Sequence, residues 1–229
     1  MGTINYVIRF IQDGGAYMYV ILAVLVVGLA IALERWLYLT RSRVSNRKVW
    51  DQVFPLLRKS EFRKATAIAE SSDTPIGNMI AFGLNSMTTA QGSADRRLLP
   101  AVEMAMEESL MEATPRLEKR TPYLAILANV ATLFGLLGTI VGLIDAFSAV
   151  SAADPAEKGA LLSSSISVAM NTTALGLIVA IPLLLMHALL QTKTNEIVDS
   201  LEMAAVKVLN LIRQPEGVTK PADTSATNN

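Results

Sequence analysis

The 229-residue chain has no cysteine and one histidine, His187. The first absence excludes a disulfide scaffold, a thiolate metal site and a cysteine nucleophile. With one histidine, a single chain completes neither a His-based metal site nor a Ser-His triad. Charge is also scarce, at 17% of residues against about 25% in an ordinary soluble domain. Twenty Lys+Arg balance twenty Asp+Glu, so the basic footprint of a nucleic-acid binder is missing. No metal-ligand spacing, phosphate-binding glycine loop or internal repeat is present. Gly135-Leu-Leu-Gly138 falls inside an apolar run, where a phosphate loop makes no sense.

What the chain does have is 52% hydrophobic residues, gathered into long uncharged windows. No Asp, Glu, Lys or Arg occurs in Gly14–Leu33, Thr121–Ile144 or Gly159–Thr192, windows of 20, 24 and 34 residues. A helix rising about 1.5 Å per residue needs roughly 20 apolar residues to cross a hydrocarbon core. The first two windows fit one crossing each, and the third, about 51 Å long as one helix, overshoots. Three buried helices of a soluble bundle would instead show charge on an outer face. The first window is not a cleaved signal peptide: Tyr17–Leu33 is long, begins late and is followed by Glu34-Arg35. Ahead of it, Ile4, Val7, Ile8 and Ile11 share one helical face up to Gly14-Gly15, the pattern of a short helix on the membrane surface.

Lys and Arg near the span ends set the orientation. Arg35, Arg41, Arg43, Arg47 and Lys48 follow the first span, and Arg116, Lys119 and Arg120 precede the second. The other side offers Arg9 and Lys158. The loop 34–120 and the segment after Thr192 are therefore expected inside, with the N-terminus and the loop 145–158 outside.

Within 34–120, Leu99, Val102, Met106, Leu110, Ala113 and Leu117 form one apolar helix stripe, with Glu103, Glu107, Glu108 and Glu112 on the rest of the surface. Pro115 is expected to kink or restart that helix. Ser60-Glu61 opens another helical stretch to about Glu70, and Ser71–Asn78, with Pro75 and Gly77, reads as a turn. Ile197, Leu201, Ala204, Val208 and Leu211 continue the third span's periodicity, so spans two and three are expected to extend into the cytoplasm. These stripes fit packing within the chain and packing between subunits equally.

The second span carries Gly135, Gly138, Thr139 and Gly142, and Gly138/Gly142 form a GxxxG pair suited to close helix approach. Thr139, near mid-span, either bonds back to its own helix or faces a polar path. The third span crowds Ser163, Ser164, Ser165, Ser167, Asn171, Thr172 and Thr173 into eleven residues. Lipid satisfies none of these groups, so protein or water must. Gly176 and Pro182 allow close approach and a bend. No span contains Asp, Glu, Lys or Arg, so a titrating group for ion passage must come from a partner. His187, toward the inner end of span three, reads as an interfacial anchor.

The run Leu133-Phe-Gly-Leu-Leu-Gly-Thr139-Ile-Val-Gly142-Leu-Ile-Asp-Ala-Phe147 resembles the second-span motif of the MotA/TolQ/ExbB proton-channel family. Thr173-Ala-Leu-Gly176-Leu-Ile-Val-Ala-Ile-Pro182 resembles its third-span motif. Leu33-Glu-Arg35 and Glu118-Lys-Arg-Thr-Pro-Tyr123 match in kind, and the likeness covers about residues 15–212. Three spans with the N-terminus outside match ExbB and TolQ better than MotA, which has four. The resemblance implies an ion-motive-force energiser: a pentamer whose second and third helices line a pore. A pair of single-span ExbD/TolR-like subunits inside it each carries a membrane aspartate. Ions pass by that aspartate and by threonines at the positions of Thr139 and Thr173, driving rotation and work on envelope partners. One departure stands out. ExbB and TolQ typically carry glutamate five residues before the third-span threonine; here Val168 occupies that place, and Asn171 stands where the relatives have an apolar residue. Such a ring serves protons through the partner's aspartate or coordinates sodium with oxygens.

The expected protein is thus an all-α membrane protein with three transmembrane helices, forming a homopentameric ring. Its segments are a periplasmic surface helix (1–13), transmembrane helix 1 (14–33), a cytoplasmic helical region (34–120), transmembrane helix 2 (121–144), a periplasmic loop (145–158), transmembrane helix 3 (159–192), a cytoplasmic helical extension (193–213) and a disordered tail (214–229). The expected function is the channel subunit of an inner-membrane motor, not an enzyme, with no cofactor beyond transported H⁺ or Na⁺. Its ion pathway would use Thr139, Asn171, Thr172 and Thr173, packed by Gly135, Gly138, Gly142, Gly176 and Pro182. Partners would be the bilayer, an ExbD/TolR-like subunit and a TonB/TolA-like protein, with no nucleic acid. The competing readings are a passive membrane scaffold and a solute transporter, the latter disfavoured by the lack of inverted repeats and broken helix pairs.

Overall fold

A computed structural model describes residues 15–90 and 98–213, and every element among them is an α-helix. They are α1 (Ala16–Arg58), α2 (Phe62–Ser71), α3 (Pro75–Ala90), α4 (Leu98–Glu118), α5 (Thr121–Ala152) and α6 (Lys158–Arg213). The expected surface helix 1–13 and tail 214–229 lie outside the described residues. Three helical stretches, within Ala16–Arg58, Leu98–Ala152 and Lys158–Arg213, are long and apolar enough to cross a membrane. Gly15 turns the chain into α1 at φ +73°, a conformation that costs a residue with a Cβ. The helices form two compact units.

The first unit holds residues up to Arg41 and Arg116–Glu196, hence the three apolar windows. α5 and α6 run antiparallel with their backbones in contact. A Cβ added at Gly176 would lie 2.8 Å from the Ala131 carbonyl oxygen and 3.1 Å from the Gly135 Cα. Farther along, Gly138 faces the Thr172 methyl and Gly142 faces Ala169. The contact follows small residues at three- and four-residue spacing on both helices, which is how helices associate where lipid removes the hydrophobic drive. α1 joins through Gly28, whose missing Cβ leaves room for the Leu183 side chain of α6.

At the charged end of the windows, the three long helices are tied by cations. Arg35 of α1 is only 3% exposed. Its guanidinium donates to the Leu117 carbonyl and, at 3.3 Å, to that of Arg116. These oxygens belong to the last turn of α4, where helical carbonyls run out of amide partners. Burial lowers the Arg35 pKa from its ordinary value, with Glu34 pulling the other way. Glu34 pairs with Arg120 at 3.2 Å, and Lys193 of α6 sits 3.2 Å from the Trp36 ring centre. Of the two expectations at Pro115, a kink or a restart, the structure excludes the restart. α4 runs through Pro115 unbroken, and the chain breaks instead at Lys119-Arg120, where Arg120 takes φ +67°. There Arg35 takes up the freed carbonyls, and Pro122 occupies the first turn of α5.

The second unit holds Ser42–Pro115 and the chain from Ile197. Its core includes Val53, Leu57, Met79, Ile80, Leu84, Met106, Leu201 and Val208. The stretch 71–78 is only partly a turn, because α3 already begins at Pro75. Its first-turn amides are each provided for: Pro75 has none, Ile76 donates to the buried Asn46 at 3.4 Å, and Gly77 donates to Thr74 Oγ1 at 3.2 Å. Thr74 is thus an N-cap followed by proline, a helix-start signal.

The glycine contacts rank substitutions. Gly176→Ala drives a Cβ into backbone atoms and should destabilise by about 1–3 kcal/mol. Gly28→Ala meets only the end of the Leu183 side chain and should cost less. Gly159→Ala, with nothing within 4 Å, should stay within roughly 0.5 kcal/mol of the parent. Thermal unfolding of the three variants in the same detergent checks the order.

Candidate functional site

The polar groups of the uncharged windows gather on and beside the α5–α6 contact. The Thr173 hydroxyl donates to the Gly135 carbonyl across that contact at 2.9 Å. The glycine permits it, because the approach that brings Gly176 against Ala131 and Gly135 also brings Thr173 within reach of a carbonyl. Thr172, one residue earlier, is 2% exposed. Its methyl packs on Gly138 and its hydroxyl donates to the Val168 carbonyl at 3.1 Å. Thr139 donates to Leu136 of its own helix at 2.6 Å and remains half-exposed. Asn171 is half-exposed, with no side-chain hydrogen bond among the described residues.

Helical geometry sorts these side chains by direction. At about 100° per residue, Thr173 lies roughly 100° round α6 from Thr172 and Asn171 roughly 100° the other way. The two therefore occupy opposite flanks of α6, and the Thr139, Asn171, Thr172 and Thr173 oxygens do not converge within one chain. Gly135, Gly138 and Gly176 are buried in the contact and Gly142 is half-buried at its end. Pro182 lies inside α6, which continues past it without a break. His187 is half-buried and Val168 half-exposed.

Such a site offers hydrogen-bonding groups and no titrating side chain of its own. A threonine hydroxyl that donates one hydrogen bond keeps lone pairs for an incoming donor or cation. No carboxylate, amine or imidazole stands beside it on α5 or α6. Among the described residues, no group of three His, Cys, Asp or Glu is placed to hold a metal.

Two features escaped the sequence reading. The Gly135 carbonyl, a backbone group, is the partner of Thr173, and only the paired glycine motifs hinted that two backbones would touch. Arg35 counted there as one charge among many setting orientation, whereas it is buried and binds α4. Its position directly after an uncharged window was the available signal.

The MotA/TolQ/ExbB proton channel family profile matches residues 71–203. A biopolymer transport protein ExbB homolog from Methanothermobacter thermautotrophicus is 29% identical over 199 residues, covering 86% of this chain and 67% of its own. The Tol-Pal system protein TolQ of Haemophilus influenzae is 33% identical over 104 residues, 45% of each chain. The biopolymer transport protein exbB1 of Vibrio cholerae is 36% identical over 104 residues, 45% of this chain and 44% of its own. Under half of each of the last two relatives is covered. The profile spans both glycine-threonine motifs and the contact they build. With its three apolar helices the chain is a multi-pass inner-membrane protein, and it belongs to the MotA/TolQ/ExbB proton channel family.

Proposed function

We propose that the chain is the channel-forming subunit of an inner-membrane motor that couples proton flow to mechanical work on envelope partners. The Thr173–Gly135 hydrogen bond carries this reading, because it holds a hydroxyl at the edge of an otherwise uncharged two-helix contact. In this reading five copies form a ring in which α5 and α6 line the pore. The N-terminus and the short connection between the end of α5 at Ala152 and the start of α6 at Lys158 face the periplasm, while 34–120 and the segment after Thr192 face the cytoplasm. An ExbD/TolR-like single-span partner supplies the membrane aspartate that the spans lack, and a TonB/TolA-like protein receives the work. The chain is not itself an enzyme and needs no cofactor beyond the transported ion.

The residues divide the labour as follows. Apolar side chains of α5 and α6 desolvate the partner's carboxyl and raise its pKa, so that it takes up a proton. The Thr173 and Thr139 hydroxyls offer the proton or its water a polar stop beside that carboxyl. The glycines hold the two helices close enough to fix where those hydroxyls sit. Sodium is the competing ion, favoured by the amide oxygen of Asn171 and the lack of glutamate at Val168. The opposite flanks of Asn171 and Thr173 weigh against it, since sodium requires several oxygens around one point.

Replacing Thr173 by Val keeps the shape and removes the hydroxyl. The cross-helix bond lost is worth about 0.6 kcal/mol in a membrane, so assembly should persist. Ion-driven output should fall about tenfold or more if the hydroxyl positions the proton. Thr139→Val, which breaks only an intrahelical bond, should affect assembly even less, and His187→Gln should be mild in both. Complex yield and cellular work, measured side by side, check this; a Thr173→Val complex of normal yield and normal output would remove the proposed role.

The ion is tested by driving the reconstituted complex with one gradient at a time. Activity is expected to survive collapse of the sodium gradient and to stop with a protonophore under a sodium clamp. The opposite pattern would assign sodium and make Asn171 the first residue to replace.

A further inference from the structure

The second unit presents two exposed helix faces that match each other. On α4, Met104, Glu107, Glu108 and Met111 follow one another at spacings of three, one and three, so they share a face. Met104 is 70% exposed and Met111 76%, high values for large apolar side chains. Both glutamates are exposed, with no hydrogen bond or ion pair among the described residues. No Lys or Arg occurs from Leu98 to Pro115, so this face has no cation of its own. A cleft of about 330 Å³ opens beside it, lined by Glu70, Phe82, Asn85, Glu108 and Glu112 among others. An aromatic ring among carboxylates suits a long basic side chain.

On α1, Val44, Arg47 and Lys48 share a face by the same spacing. Val44 is 50% exposed, and Arg47 and Lys48 are exposed without an ion pair among the described residues. The two faces are complementary position for position: an apolar residue, then three and four residues on a pair of like charges, acidic on α4 and basic on α1. Within one chain both stay open, so the match is made only between chains.

We infer that the Met104–Glu107–Glu108–Met111 face of α4 docks on the Val44–Arg47–Lys48 face of α1 in a second copy of this chain. The contact is heterologous, one patch against a different patch, and repetition of such a contact generates a ring when the rotation between copies closes. It rests on the oligomeric reading above and names the cytoplasmic surfaces that would join the copies. Apolar anchors ringed by opposite charges give both burial and register, and like charges brought opposite one another oppose association.

The chain's lack of cysteine makes the test direct. In the full-length complex, Val44→Cys combined with Met104→Cys should form intermolecular disulfide ladders under mild oxidation, and neither single variant should. Arg47→Glu with Lys48→Glu, or Glu107→Lys with Glu108→Lys, should lower the crosslinked fraction at least about tenfold and shift the detergent-extracted complex to smaller mass. Combining both reversals should restore each. An oligomer of parental mass with no ladder, unaffected by either reversal, would overturn this interface and leave the oligomer standing. A parental chain of monomeric mass would overturn both. Reversals that lower crosslinking without rescue by the combination would assign the faces to some other partner and also overturn it.

Discussion

The approach of α5 to α6 through Gly135 and Gly176 fixes everything else in the membrane unit. With no side chain between the two backbones, the distance between the helices is set by main-chain atoms. Side chains beside the contact inherit that precision. Thr173 reaches the Gly135 carbonyl, Thr172 is pressed onto Gly138, and Ala169 fills the space beside Gly142. A bulkier seam would rest on rotamers and vary with them. This one gives the polar groups fixed positions in a region where lipid offers them no partner.

The same contact explains why a segment without charge holds so many hydroxyls. Each threonine of the proposed pathway spends its proton on a carbonyl: Thr173 across the contact, Thr172 and Thr139 within their own helices. Their desolvation is thus met inside the chain, and the half-exposed Thr139 and Thr173 keep acceptor capacity toward their surroundings. Asn171 differs, since an amide has more groups to satisfy than its own helix can meet. It sits on the other flank of α6, away from Thr173.

Much of this architecture was legible in the residues. Uncharged windows read directly as spans because a charge in hydrocarbon is costly and its absence is easy to see. The apolar stripe from Val102 to Leu117 read as one helix face because periodicity survives burial. Local breaks were harder. Pro115 looked like an interruption, yet a helix tolerates one lost amide bond when its turns are packed. The break at Lys119-Arg120 depends on an arginine more than eighty positions away, which no local pattern reveals. Pro75 was read inside a turn, although Thr74 before it is an N-cap; the capping amide acceptor Asn46 again came from a distant helix. The threonines themselves were visible, but which flank each occupies depended on where the glycines met.

The buried part of the fastening, Arg35 on the last carbonyls of α4, is made of a guanidinium and backbone oxygens alone. Neither gains or loses a proton in any cytoplasm a cell can maintain, because guanidinium holds its charge even where burial weakens it. A histidine or glutamate in that place would loosen as pH drifted. The Arg35 link between α1 and the end of α4 therefore keeps its grip as pH changes, and the anchorage of these helices is insulated from any proton gradient beside it.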